Sequence, residues 1–164
     1  MLKIKSLLLL CLITGGFLFS SVAQDRSLEI KKLSKGADVI LTGKVTKQNS
    51  SWNENKTRIF TRATLQVDEY LKGNDNGNSV EVIYPGGEVG EVGELYTHMP
   101  RFANDEEVLV FLKKDEKSKG YKVFDGEDGK ISVIKGVKTG EKITNSNLKI
   151  SSLKREIKNY LNEK

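Results

Sequence analysis

Hydrophobic and polar residues alternate most regularly over residues 57–87, and this segment organises the predicted fold. Apolar or small residues take every second position across residues 59–67, and polar residues fill most of the positions between them. A period of two is typical of a strand with one face in the core and the other in water. Polar residues 74–79 follow as a turn, and a second strand begins at Val80 and stops at Pro85. The segment therefore predicts a long hairpin.

The residues before the hairpin predict a short helix and a first strand. Apolar residues share one face of a helix over residues 27–34. Residues 37–46 alternate again, and Gly43 in the middle of this strand indicates a bend or a bulge. A polar loop is expected over residues 48–56, and it carries Trp52.

The residues after the hairpin combine a long loop with further strands. Residues 88–105 form the longest irregular segment, and loops of this length in a compact domain are often functional. Residues 106–114 contain a continuous apolar run, as expected for a strand that is buried on both faces. Residues 121–124 and 130–134 are predicted to pair with each other as short strands.

The end of the chain predicts a loop and then a helix. Residues 137–147 are polar and loop-like, whereas residues 148–162 place their apolar side chains on one helical face, with Ser151 or Ser152 as the cap. Taken together, the elements predict a mainly β fold. The expected architecture is a small five- to six-stranded OB-like barrel with a short N-terminal helix and a C-terminal helix.

Residues 1–23 have the plan of a secretory signal peptide. Lys3 and Lys5 precede a leucine-rich run, and small residues ending in Ala23 offer a cleavage site. We therefore expect cleavage near Ala23, a secreted or periplasmic location, and a single mature domain over residues 24–164. The apolar run is short for a membrane span, so no span is expected after removal of the signal, and a retained N-terminal anchor is the alternative.

Charge and cysteine content restrict the classes of partner. The 27 lysines and arginines and the 22 aspartates and glutamates give a formal net charge of +5. Basic and acidic residues are interspersed, which indicates a solvated surface rather than a nucleic-acid interface. The one cysteine, Cys11, lies in the signal segment, so neither a disulfide nor thiol chemistry is expected in the mature chain.

Three short motifs give the pattern a resemblance to a known family. They are YLKG at residues 70–73, PGG at residues 85–87 and EVLVFL at residues 107–112. With the tryptophan-bearing loop, the pattern over residues 37–133 resembles a group of bacterial secreted proteins with an OB-like barrel. That group is related in shape to the netrin-like domain of tissue inhibitors of metalloproteases. The resemblance implies this fold, because the motifs are mostly structural.

The same resemblance raises the possibility of protease inhibition. The metalloprotease inhibitors of that fold chelate the protease zinc through the amine and carbonyl of an N-terminal cysteine. The mature chain expected here begins near Gln24 and has no cysteine, so it departs from that mechanism. An inhibitor that instead inserts the loop over residues 88–105 into a protease is the alternative that the sequence leaves open.

The candidate binding residues are Trp52, Tyr96, His98 and Arg101. His98 is the only histidine, whereas a zinc site needs three or four ligands and a nucleophile needs an oriented base. We therefore predict no catalytic residue, no metal site and no cofactor. The aromatic residues could form a stacking platform or pack inward, and the loop could equally close one end of the barrel, with Tyr96, Met99 and Phe102 turned inward.

Two further patterns resemble ion-binding loops but predict ordinary turns. The glycine-rich loop over residues 86–93 carries glutamates, whereas a phosphate site needs positive charge at a helix start. Residues 75–78 and 125–129 lack the spacing of a helix-flanked calcium loop. Asp, Asn and Gly are also the residues that tight turns favour.

The sequence therefore predicts a secreted, non-enzymatic binding module. Its partner is expected to be a protein or a surface component, and not a nucleic acid. The alternative is a protease inhibitor acting through residues 88–105. A more distant alternative is an enzyme that uses His98 together with the glutamates of that loop.

Overall fold

The computed structural model describes residues 26–73 and 77–163. The predicted signal peptide over residues 1–23 lies outside the described residues, as does part of the predicted turn over residues 74–79. Two compact units divide the chain, Met1–Lys32 and Leu33–Lys164. The described residues of the first unit are helical, and this helix, α1, covers residues 26–36.

The second unit is mainly β. Its described strands are β1 (Val39–Trp52), β2 (Ile59–Lys72), β3 (Ser79–Pro85), β4 (Gly87–Val89), β5 (Val92–Glu94), β6 (Glu107–Asp115), β7 (Gly120–Val123), β8 (Lys130–Lys135) and β9 (Lys142–Thr144). A short 3-10 helix covers Gly126–Gly129, and helix α2 covers Ile150–Asn162. No helix among the described residues is both long enough and apolar enough to cross a membrane.

Seven of these strands form one sheet. Their order is β1-β2-β3-β7-β6-β8-β9, and β1 also pairs with β6. The pairing of β3 with β7 is parallel, and the other strand pairs are antiparallel. Strands β4 and β5 make a separate two-stranded ribbon. The long hairpin predicted from residues 57–87 is present as β2 and β3.

The burial of β2 and β6 follows the sequence pattern. In β2 the residues Ile59, Thr61, Ala63 and Leu65 are buried, while Arg62 between them is exposed. This alternation confirms the predicted half-buried strand. In β6 the whole run of residues 108–112 is buried, which confirms a strand covered on both faces.

Gly43 lies at an irregularity of β1, as the sequence indicated. The register between β1 and β2 shifts between Thr42 and Gly43. A Cβ atom on Gly43 would overlap the carbonyl oxygen of Gln66 on β2. The absence of a side chain therefore lets the two backbones approach closely at this shift.

The predicted loop over residues 48–56 is wrong in its first half, because β1 continues to Trp52. Ser50 stands opposite Thr61, and Trp52 stands opposite Ile59. The Ser50 and Thr61 hydroxyl oxygens lie 2.9 Å apart in a hydrogen bond. These cross-strand contacts sustain a strand that local hydrophobicity does not indicate.

The predicted pairing of residues 121–124 with residues 130–134 is also wrong. Strands β7 and β8 both pair with β6, at residues 112–115 and 107–110 respectively. Because β1 pairs with residues 107–112 on the other edge of β6, β7 and β8 lie end to end along one edge. The 3-10 helix between them is the connection, so they have no common edge on which to pair.

Two segments predicted as loops contain short strands, and one predicted cap differs. Residues 88–105 include most of the β4–β5 ribbon, and residues 137–147 include β9. Helix α2 begins close to the predicted position, but Lys149 is its N-cap and makes no side-chain cap bond. Ser151 and Ser152 therefore lie inside the first turn rather than at the cap.

Candidate functional site

The segment between β3 and β6 forms the candidate site. It starts at Gly86, makes the β4–β5 ribbon and then runs without regular structure before β6 begins. We call residues 86–100 the acidic loop, because they contain three glutamates and no lysine or arginine, whereas the whole chain has a formal net charge of +5. This contrast of charge is the first physical property of the site.

Hydrogen bonds fasten the first half of the acidic loop to β2. The Thr61 hydroxyl donates to the carbonyl oxygen of Gly86 at 2.6 Å, and the Gly86 N–H donates to the carbonyl oxygen of Ile59 at 2.8 Å. The Glu94 carboxylate accepts the Ile59 N–H at 3.0 Å and the Tyr96 hydroxyl at 2.9 Å. The bond to Glu94 raises the pKa of the Tyr96 phenol. The ribbon is therefore tied to the sheet and is not a free lid.

Gly87 allows the ribbon to approach the β1–β2 hairpin. Its φ of 126° lies in a region that side chains rarely adopt. A Cβ atom there would overlap the hydroxyl oxygens of Thr61 and Ser50. A glycine at this position is thus required for the observed packing.

The second half of the loop returns to the core at Phe102. Phe102 and Pro100 are buried, and the Phe102 ring packs against Tyr84 with centroids 5.5 Å apart. Met99 is exposed, and Tyr96 is half-buried. Of the three side chains that the alternative expectation turned inward to close one end of the fold, Phe102 alone is buried.

A lysine from β8 holds the returning chain. The Lys130 ammonium lies 2.5 Å from the carbonyl oxygen of Arg101 and 2.7 Å from the Glu106 carboxylate. It also lies 5.1 Å from the centre of the Phe102 ring, a cation–π contact. The two side chains of the ion pair are only 12% and 17% exposed, for Lys130 and Glu106 respectively.

The environment of Glu106 favours its charged form. Burial by itself would raise the pKa of this carboxyl group, but hydrogen bonds from Lys130, from the Ser132 hydroxyl and from the Ala103 N–H outweigh burial. The net direction is a lowered pKa. Glu106 and Lys130 therefore fix the base of the site, and the sequence analysis identified neither of them as part of it.

Two grooves lie along the loop. The first has a volume of about 340 Å³ and runs between the ribbon and the returning chain. Its apolar walls include Tyr84, Leu95 and Phe102, and its polar groups are Glu88, Glu94 and Arg101. The second groove has a volume of about 520 Å³ and is more polar along its edge, with His98, Arg101 and Glu127.

Three of the four predicted binding residues come together here. Tyr96, His98 and Arg101 line the second groove, and Tyr96 and Arg101 also line the first. Trp52 lines neither groove, and stands opposite Ile59 at the end of the β1–β2 hairpin. The sequence thus grouped residues from a common surface but added one that lies outside the grooves.

His98 is a surface residue with a structural contact. Its side chain is 86% exposed, and its Nδ1 atom lies 3.2 Å from a carboxylate oxygen of Glu127. The His98 carbonyl oxygen accepts the Glu127 N–H at 3.1 Å. His98 therefore joins the loop to the 3-10 helix, and its ring is open to water.

The loop also exposes apolar side chains, which the sequence analysis did not predict. Val92 is 48% exposed, Leu95 69% and Met99 40%. Leu95 and Met99 line the first groove together, and contiguous exposed apolar groups on a folded protein mark an interaction surface more often than scattered ones do. The sequence signal was the apolar residue beside each glutamate of the loop, a pattern that fits an exposed strand as well as a buried one.

No three His, Cys, Asp or Glu side chains among the described residues come together in a way that could hold a metal ion. Neither the protein-family models nor the curated proteins include one that matches this chain. The charge, the grooves and the exposed apolar groups of the acidic loop are therefore the basis for a functional assignment.

Proposed function

We propose that this protein is a secreted, non-enzymatic binding module built on a five-stranded OB-like barrel. The barrel is supported by a series of strand pairings that returns to its start, from β1 through β2, β3, β7 and β6 back to β1. A sheet whose last strand pairs with its first has the connectivity of a closed barrel. The resemblance to netrin-like domains that the sequence indicated is consistent with this arrangement.

The acidic loop is the binding face in this proposal. The observation that carries it is the exposure of Val92, Leu95 and Met99 next to two glutamates, Glu88 and Glu91. The side chains of these two glutamates form no ion pair or hydrogen bond with any described residue. Binding residues are commonly placed on loops that a rigid scaffold supports.

The side chains of the acidic loop indicate which class of partner it would bind. Apolar groups at the centre of an interface supply most of the binding free energy, and charges at the edge supply specificity and speed of association. Free glutamates beside exposed aliphatic side chains are complementary to a polypeptide segment in which lysine or arginine alternates with aromatic or aliphatic residues. We therefore propose a basic, partly apolar polypeptide segment as the partner.

A selection from random peptides displayed on phage tests this function. We expect the protein to enrich peptides that combine lysine or arginine with aromatic or aliphatic residues. The variant Leu95→Ser/Met99→Ser should bind the enriched peptides at least about tenfold more weakly, because burial of two apolar side chains is lost and 1.4 kcal/mol corresponds to a factor of ten. Equal binding by this variant would overturn the proposal.

A matched control uses exposed apolar residues outside the acidic loop. Val137 is fully exposed and Ile134 is 47% exposed, on the β8–β9 hairpin and outside the acidic loop. The variant Ile134→Ser/Val137→Ser removes a similar apolar area and should bind the enriched peptides at least as tightly as the wild type. A loss in both variants would indicate non-specific hydrophobic contact rather than a site.

The enzymatic alternative has less support. His98 would need a nucleophile or a bound water positioned by a second group. The side-chain partner of its ring among the described residues is Glu127, at an exposed position. Insertion of the loop over residues 88–105 into a protease stays a prediction of the sequence, and peptides selected by the acidic loop would not by themselves support it.

A further inference from the structure

The exposed large apolar side chains of the second unit fall into two groups. One is the set already described on the acidic loop, and the other consists of Ile134 and Val137 on the β8–β9 hairpin. We call residues 134–138 the basic turn. Val92 belongs to β5, and Ile134 lies in β8 just before the turn that leads to β9.

The two groups carry opposite free charges. The Lys135 and Lys138 side chains are exposed and form no ion pair or hydrogen bond with any described residue. Glu88 and Glu91 have the same status on the acidic loop. Each surface therefore places two unpaired charges of one sign beside exposed aliphatic side chains.

The charged residues that follow the basic turn form ion pairs within the molecule. Lys142 pairs with Glu107 at 2.5 Å, and Glu141 pairs with Lys149 at 2.9 Å. Lys135 and Lys138 thus differ from Lys142, which has a carboxylate partner. The positive charge available at this turn is the charge of these two residues.

Within one molecule, the charges of the acidic loop and the basic turn do not pair with each other. The two grooves along the acidic loop have no residue of the basic turn in their walls. No ion pair or hydrogen bond joins residues 86–100 to residues 134–138 in that part of the chain. A second molecule of the same chain can supply to each surface the group that it lacks.

We propose that this protein associates head to tail, with the basic turn of one copy bound on the acidic loop of another. The partner is a second copy, and the contact joins Lys135 and Lys138 to Glu88 and Glu91 around an apolar centre. This inference rests on the proposed function, because it uses the same loop and names its partner. In such a contact, a bound pair still has one free acidic loop and one free basic turn. Further copies can therefore add, and the assembly is a ring or an open filament rather than a closed two-fold dimer.

Charge-swapped variants in sedimentation velocity test the inference. The loop variant is Glu88→Lys/Glu91→Lys, and the turn variant is Lys135→Glu/Lys138→Glu. We expect the wild type to sediment faster as its concentration rises, and each variant alone to remain monomeric. An equimolar mixture of the two variants should restore association, because the wild-type turn of the first can bind the wild-type loop of the second.

Matched controls separate a local contact from a change in net charge. The variant Glu54→Lys/Glu116→Lys changes the net charge as the loop variant does, at exposed positions on other loops. The variant Lys47→Glu/Lys117→Glu matches the charge change of the turn variant, at exposed positions on β1 and on the turn between β6 and β7. Both controls should associate like the wild type, and added salt should weaken the association of all of them, because exposed charges are screened.

Three results would overturn the inference. They are a wild type that stays monomeric at every concentration tested, association that persists in both variants, and a mixture of variants that remains monomeric. If the wild type is monomeric but still enriches basic peptides in the display experiment, the inference fails and the proposed function stands. If it also enriches no peptide, both fail.

Discussion

The Lys130 ammonium lies 2.7 Å from the Glu106 carboxylate, although the two residues are 24 positions apart in the chain. Water has little access to this ion pair, because the Lys130 side chain is only 12% exposed. The pair joins β8 to the residues that lead into β6, at the point where the acidic loop returns to the sheet. We infer that it holds the base of the binding face in position.

Removal of one member of this pair should be costly. Lys130→Met leaves the Glu106 carboxylate mostly buried without its cation, and we expect a loss of about 2 kcal/mol in the free energy of unfolding. Lys158→Met is the control, because its pair with Glu69 is 55% and 40% exposed and should be worth below about 1 kcal/mol. Urea denaturation of both variants measures the difference, and equal losses would contradict the assignment.

The lowered pKa of Glu106 predicts a loss of stability in acid. A carboxyl group whose pKa is lower in the folded state than in the unfolded state stabilises the fold above its unfolded value. That contribution is lost as the pH falls through the folded value, so it should diminish below the ordinary value of 4.5. Lys130→Met should therefore differ from the wild type at about pH 7 and much less at about pH 3. A difference that is independent of pH would show that the pair does not hold Glu106 ionised.

Phe102 and the two exposed residues beside it should behave in opposite ways. Phe102→Ala removes a buried ring and should cost about 3 kcal/mol in the free energy of unfolding. The variant His98→Ala/Arg101→Ala changes exposed side chains, so its unfolding free energy should stay within about 0.5 kcal/mol of the wild type. The double variant should nevertheless weaken peptide binding, because both residues line a groove of the loop. Thermal denaturation and a binding assay on the same samples measure both effects. Binding of the double variant with wild-type affinity would place the recognition site elsewhere.

Processing of the N-terminal segment is checked directly by mass spectrometry. Because Lys3, Lys5 and the leucine-rich run have the plan of a signal peptide, the exported protein should begin at or near Gln24. Expression without residues 1–23 should then leave the protein inside the cell. A mature chain that retains those residues would indicate the anchor that the sequence left as the alternative.

Local periodicity predicted the strands whose burial depends on their own residues. Alternation identified β2, and a continuous apolar run identified β6, because those patterns reflect the faces that a strand presents. Gly43 was also informative, since a glycine inside a strand marks a close approach whatever its partner is. These features set the core of the sheet before any pairing is known.

The pairing of the strands and the residues of the candidate site were harder to predict from the sequence. Strands β7 and β8 are adjacent in sequence, yet both pair with β6, and this arrangement depends on which edge of β6 is already occupied by β1. The contact of Lys130 with Glu106 joins two segments whose proximity follows from that pairing. Trp52 was grouped with the loop on its residue type, and its strand register places it outside the grooves.

The most direct measurement of the central claim is an amide chemical-shift titration of the labelled protein with a synthetic peptide that alternates lysine with phenylalanine or leucine. We predict that the shifted amides concentrate in residues 86–101, and that a control peptide with glutamate in place of lysine leaves them unchanged. The Leu95→Ser/Met99→Ser protein should show the same spectrum elsewhere and lose the response. Shifts concentrated outside the acidic loop, or an equal response to the glutamate peptide, would contradict the assignment of this loop as the binding face.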